Sequence, residues 1–287
     1  MTLTPAPAPA PVLPVLLGVA HGSQEPASQA GIDALLAGAA ALRPGLRTQA
    51  AYVDNASPSI RRALADLVAD GVRDIAVLPL LLTPASHSKT DVAASVQAGR
   101  LEHPGVRLRY GRPLGPHPVL VDVLARRLAE AGAPVDVPVL LVAGGALDPD
   151  ANAQVAATAR LLFEGRHYQS VDIAFASTAR PSVPQALERL RAQGASVVAV
   201  ARYFLGPGFL PNLVAKQARS VAGLSVIVSD VLGPAEGLSR LLLGRYDELL
   251  GGDIRMNCDA CLYRIALPGR EAAVGAPQLP HTHPDDA

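Results

Sequence analysis

Apolar positions along this chain fall into short uninterrupted blocks, separated by stretches with helical spacing. Residues 15–20 form an apolar run with no polar interruption, the pattern of a strand covered on both faces. A helix is predicted from about residue 26 to 41, where Arg43-Pro44-Gly45 stops it. Residues 48–53 read as a second strand. Ser57-Pro58 resembles an N-cap followed by Pro at the first helical position. Ile60, Leu64, Leu67 and Val68 then mark one helix face, ended by Gly71. Residues 75–82 form a third, nearly continuous apolar strand. A loop at 83–89, a helix opening at 90–97, a strand at 106–110 and a closing helix at 118–131 complete the series.

The series is then repeated. Residues 139–143, 171–175, 197–204 and 225–228 are the strands of a second copy, and landmark residues recur at a fixed offset of 123. Pro26 pairs with Pro149, Pro58 with Pro181, Gly71 with Gly194 and Pro84 with Pro207. Strands alternating with helices predict α/β architecture: two tandem flavodoxin-like domains, each a parallel sheet of about four strands flanked by helices. The expected units are 15–133 and 138–250, with the linker between them. A Pro/Ala-rich segment at 1–14, expected to be disordered or polyproline-like, precedes them, and a tail at 251–287 follows.

Composition narrows the function. The 287 residues carry 25 Lys plus Arg and 25 Asp plus Glu, so no nucleic-acid footprint is expected. No basic run suggests a membrane surface, and the apolar stretches are too short for a spanning helix. Residues 1–14 hold no Lys or Arg and so lack the basic region of a secretory signal. Two cysteines, Cys258 and Cys261, are no disulfide framework, and the cytoplasm is the expected compartment.

Ligands of parallel α/β sheets gather at the carboxyl ends of the strands. There His21 follows the first strand, Asp54 and Asn55 the second, and His87 the third after a short loop. At the 123 offset His21 faces Gly144 and His87 faces Leu210. Folding does not require that asymmetry, whereas a single metal or proton-transfer site in the first copy does. Neutral imidazole ligates Co, Fe, Ni and Zn ions and also accepts a proton near neutral pH. Two imidazoles without a thiolate make an open site. His103, His117 and His167 stand beside Pro or Arg and read as solvated loop residues.

His21-Gly22-Ser23 after an apolar strand, Pro79-Leu80-Leu81-Leu82 leading to His87, and Asp91-Val92 soon after resemble the sirohydrochlorin chelatases, whose long members carry two fused copies. Met256-Asn257-Cys258-Asp259-Ala260-Cys261 resembles the M-x-C-x-x-C element of long cobalt-inserting members, and His281 and His283 a sparse form of their His-rich segment. The resemblance implies nucleotide-independent insertion of Co²⁺ or Fe²⁺ into sirohydrochlorin. It implies that His21 and His87 bind the metal and that His21 also takes a proton. No G-x-x-x-x-G-K-[ST] loop occurs, which disfavours a phosphate or nucleotide binder. A non-catalytic metal or tetrapyrrole carrier on the same fold is the alternative.

The substrate so implied is flat and rich in carboxylates. The small, largely apolar loop Thr83, Pro84, Ala85 and Ser86 suits the ring, and Ser23, Asn55, Ala56, Ser57 and Ser88 are candidate contacts for its rim, with Lys89 a candidate partner for a carboxylate. Asp91 is a first-turn helix acid and a candidate partner of His87. Where the family usually has Gly and an aromatic before its second His, this chain has Ala85-Ser86, while Gly208-Phe209 stands in the second copy. Cys258 and Cys261 are candidates for an iron–sulfur site. Four thiolates are usual, so a homodimer or an added ligand would have to complete it; a free thiol pair or a structural remnant are the other readings.

Overall fold

The computed structural model describes residues 13–256, 261–266, 269–277, 279–280 and 282–286. The first copy runs β1 (Val15–Ala20), α1 (Pro26–Leu42), β2 (Thr48–Tyr52), α2 (Ile60–Ala69), β3 (Asp74–Pro79), a π-helix (His87–Asp91), α3 (Val92–Glu102), β4 (Arg107–Tyr110) and α4 (Pro118–Glu130). The second runs β5 (Pro138–Ala143), α5 (Pro149–Arg166), β6 (Ser170–Phe175), α6 (Val183–Ala192), β7 (Val197–Arg202), α7 (Phe209–Arg219), β8 (Ser225–Val228) and α8 (Glu236–Gly251). Each copy forms a four-stranded parallel sheet, ordered β2-β1-β3-β4 and β6-β5-β7-β8, as the alternation of elements predicts. Among the described residues no helix is long and apolar enough to cross a membrane.

Both faces of each central strand are buried, which is why β1, β3, β5 and β7 read as apolar runs. Alternate residues serve different cores. Val15, Leu17 and Val19 pack with Ile75, Val77 and the apolar faces of α2 and α3. Leu16, Ala20, Ala76 and Leu78 face the other way, into a core shared with Val139, Leu141, Ala199 and Ala201 of the second sheet.

The closing helices are exchanged. The helix after β4 was expected to close its own sheet, but α4 packs on α5 and β7, and α8 packs on α1 and β3. Tyr246 of α8 is fully buried and donates its hydroxyl to Pro14 O at 2.7 Å. Arg245 donates to the carbonyls of Pro113 and Leu114 at 3.0 and 2.8 Å. Arg112 meets Glu248 through two hydrogen bonds of 2.8 Å. In return Arg127 of α4 donates to Leu232 O, and Asp122 pairs with Arg166. A boundary at 133–138 therefore separates the sheets but not the helical layers.

Local starts and stops also differ from the pattern. The cap of α2 is Ser59, whose Oγ accepts from Arg62 N at 3.0 Å, not Ser57. Pro58 O is engaged by Tyr52 N–H, which keeps that segment extended beside β2. His117 is not a solvated loop residue: its Nδ1 accepts from Val119 N and caps α4. Burial, then the nearby Arg245 and Arg112, hold its pKa below the ordinary value. The tail folds back on the first copy. Tyr263 and Thr90 share a hydrogen bond of 2.6 Å, and short 3-10 turns form at Glu271–Ala273 and Pro284–Asp286.

Candidate active site

The loops after β1, β2 and β3 open on one sheet edge. Gly22 lies at φ +99°, a conformation that favours glycine, and a Cβ there would fall inside the contact radius of Asp54 O. That close approach locks the first loop against the second, and Asp54 N–H donates to His21 O at 2.9 Å. Asn55, at φ 57°, turns the second loop, with its amide and side chain both donating to the Asp54 carboxylate.

His21 and His87 meet edge to face, ring centroids 4.6 Å apart and planes at 88°. His87 Nδ1 lies 2.7 Å from Asp91 Oδ2, one turn on. A carboxylate partner makes Nδ1 the protonated nitrogen and leaves the lone pair on Nε2, the atom available to a metal. His21 Nδ1 lies 3.3 Å from Gly22 O. His87 does not sit in a loop, as the sequence suggested, but opens the π-helix. Such wide turns are rare and frequent at functional sites. The turn is held from several sides: Ser88 Oγ donates to Ala85 O at 3.0 Å, Tyr110 donates its hydroxyl to the Ser88 backbone carbonyl, and Thr90 bonds Tyr263.

The histidines look into a cleft of about 830 Å³ between the two copies. Its floor is apolar, built from Ile32, Tyr52, Leu80, Val155 and Tyr203. Burial, reinforced by Asp33, pushes the Tyr52 hydroxyl up to about 12, and burial raises Tyr203 still further. Neither phenol is therefore a base at neutral pH.

The far wall comes from the second copy. Leu210 stands where His87 stands in the first copy, and its Cδ1 lies 3.4 Å from where a Cβ on Gly144 would be. A side chain at 144 would therefore meet Leu210 in ordinary van der Waals contact. Phe209 is 76% exposed on this wall, an unusual state for a large aromatic. Gly206 and Gly208 let the wall approach Ser28 and Ser23 closely, and Asn212 Nδ2 donates to Glu25 Oε1 at 2.8 Å across the gap.

Of the rim residues expected from the sequence, Ser23, Asn55, Thr83 and Ala85 line the cleft, and Ala56, Ser57, Pro84 and Ser86 lie outside its wall. Ser57 is turned to the tail, its Oγ donating to Asp285 at 2.8 Å, and Ala56 O accepts from His283 Nε2 at 2.8 Å. His283 is 4% exposed, and its Nδ1 accepts from Asp285 N. Ser88 is buried. Lys89 does not reach the cleft, because it is buried in ion pairs with Asp148 and Asp150 of the second copy. None of the described residues lining the cleft is Lys or Arg. A polyanionic ligand would meet hydroxyls and amides there, with its charged edge toward solvent.

Cys261 does not line the cleft. Cys261 is a half-buried free thiol, while Cys258 and His281 lie outside the described residues. Among the described residues no group of three or more His, Cys, Asp or Glu side chains is disposed to hold a metal, so the expectation of an iron–sulfur centre finds no support there. His21 and His87 bring two imidazoles together, a pair that could hold an ion with its remaining positions open.

The sequence model of the CbiX family matches residues 15–131 and again 138–249. The chain is 30% identical to a sirohydrochlorin cobaltochelatase of Priestia megaterium, over 75% of this chain and 74% of that protein. It is 26% identical to a sirohydrochlorin ferrochelatase of Bacillus subtilis, over 81% and 90%. The structure of SirB from Bacillus subtilis with Fe³⁺ superimposes with a TM-score of 0.74 at 26% identity, covering 83% of this chain and 96% of that one.

Proposed function

This chain belongs to the CbiX family, and from that premise we propose that it is a sirohydrochlorin chelatase, a lyase that inserts Co²⁺ or Fe²⁺ into the macrocycle without a nucleotide. The observation that carries the reading is the His21–His87 pair, edge to face at 4.6 Å, facing an apolar wall across an open cleft.

The chemistry follows from the groups present. Insertion exchanges M²⁺ for two pyrrole N–H protons, so each ion delivered leaves two protons to be taken. Two imidazoles hold M²⁺ through nitrogen and shed it readily, having no thiolate to bind it tightly. As the ion moves to the ring nitrogens, each imidazole regains the lone pair that accepts one proton. Asp91 suits His87 to both duties. It fixes the tautomer that presents Nε2, and its charge stabilises the imidazolium that forms. Phe209 and the Gly206-Pro207-Gly208 loop offer a flat apolar surface against which the macrocycle stacks, holding it over the histidines.

The choice between cobalt and iron is open to both, since imidazole serves each. The test is anaerobic incubation of the purified chain with sirohydrochlorin and Co²⁺ or Fe²⁺, followed by absorbance. Multiple turnovers with one or both ions are expected, lost in His21→Ala and His87→Ala variants that remain folded. Stoichiometric uptake without turnover would instead make the protein a carrier.

A further inference from the structure

The two copies keep step only up to the metal-facing turn. Their offset is 123 between the starts of β3 and β7, Asp74 and Val197, and 118 between those of β4 and β8, Arg107 and Ser225. The five residues gained by the first copy fall after its third strand. There the five-residue π-helix His87–Asp91 and the 11-residue α3 together stand against the 11-residue α7, and the first turn of that segment carries His87 and, two residues on, Lys89.

Lys89 crosses to the second copy. Its Nζ lies 2.7 Å from Asp148 Oδ2 and 2.9 Å from Asp150 Oδ2, with side chains 12%, 1% and 4% exposed. The carboxylates are themselves fixed. Asp148 Oδ1 accepts from Asp150 N at the start of α5, and Gln154 Nε2 donates to Asp150 Oδ1. The ammonium thus sits within hydrogen-bond distance of both carboxylates, at the amino end of α5.

Buried ion sets of this kind add little net stability over an apolar replacement; what they supply is geometry. We propose that Lys89, clasped by Asp148 and Asp150, is a positioning residue that ties the His87 turn to the second copy, so that the second copy sets where His87 stands relative to His21. The proposal rests on the reading of His87 as the residue that holds the metal.

The test uses the full chain with Lys89→Met, Asp148→Asn and Asp150→Asn combined. This variant leaves no unpaired buried charge, and an Asn at 148 still offers the oxygen that caps α5. Thermal unfolding is expected to stay within a few degrees of wild type. Affinity for Co²⁺ alone, titrated without the macrocycle, is expected to fall about tenfold. Amide exchange at residues 88–92 is expected to speed up while α5 keeps its protection, and KM for Co²⁺ to rise with KM for the macrocycle unchanged. Asp150→Asn alone keeps one ion pair and should show a smaller shift of the same sign, which serves if the triple variant does not fold. Wild-type Co²⁺ affinity and wild-type exchange in these variants would overturn the clasp. His87→Ala runs beside them: if it binds Co²⁺ as wild type does, the metal reading falls and the clasp with it, whereas weakened binding there with unchanged clasp variants overturns the clasp alone.

Discussion

Removing the Asp91 carboxylate separates metal holding from folding. The side chain accepts from His87 Nδ1 at 2.7 Å, and the two side chains are 36% and 16% exposed, His87 the more open. In Asp91→Ala the Nδ1–H turns to water, so little is lost to the fold, about 1 kcal/mol or less. The imidazole, however, is then free to rotate and to carry its proton on Nε2, the atom the metal needs. Loss of such a partner costs about 10–100-fold in metal affinity, or about 1.4–2.7 kcal/mol. Asp91→Asn still accepts through its amide oxygen but has lost the charge, which halves the strength of the bond. The expected order of Co²⁺ affinity is therefore wild type, then Asn, then Ala, read by titration, with insertion rates in the same order and Tm nearly constant. An Ala variant with wild-type Co²⁺ affinity, or one whose lost activity tracks lost Tm, would refute the reasoning.

Phe209→Ala should raise KM for the macrocycle while leaving Co²⁺ affinity alone, because the ring stands on the wall opposite the histidines; a change in metal affinity of the same size would remove it from that role. Gly22→Ala should destabilise severely, since the new Cβ strikes Asp54 O, whereas Gly45→Ala, at φ +85° with open space around it, should cost only about 1 kcal/mol. Equal Tm losses in the two would show that the close approach at Gly22 is unimportant. The Glu248 pKa lies below its ordinary value, chiefly through its hydrogen bonds with Arg112, and burial opposes the shift. A depressed carboxylate contributes stability that is whole above its unfolded pKa and is lost as pH falls through the folded one. Denaturation midpoints should therefore drop below about pH 4.5 more steeply in wild type than in Glu248→Gln, and identical slopes would argue against the pair.

What the sequence made legible follows from how local each signal is. Strands buried on both faces announce themselves as apolar runs, and Pro and Gly at turns fix the 123-residue repeat. The histidine pair stood out because two imidazoles at strand ends in the first copy face Gly144 and Leu210 in the second. The exchange of α4 and α8 left no such trace: the apolar stripe of a helix, Leu120, Leu124 and Leu128 in α4, says that it must be buried but not against which sheet. Lys89 and its partners are 59 and 61 residues apart and carry no local pattern. It therefore read as a loop cation waiting for a substrate carboxylate. The wide turn at His87 was equally silent in periodicity, though the change of offset from 123 to 118 between the copies was there to be measured.

A copy without metal ligands has nonetheless kept its fold, and the structure gives the physical reason. At the positions matching His21 and His87 the second copy has Gly144 and Leu210, whose side chains offer no ligand. It has not become free to leave. Its last helix covers the inner apolar face of β3 and α1, and the closing helix of the first copy covers β7 in return. Removing either half would expose core to water. The same dependence serves the cleft. A planar ligand needs two walls at a fixed spacing, and helices shared between the sheets set that spacing more rigidly than a linker can. The first copy supplies the histidines, the second the apolar wall, and Lys89, two residues from His87, joins the two through Asp148 and Asp150.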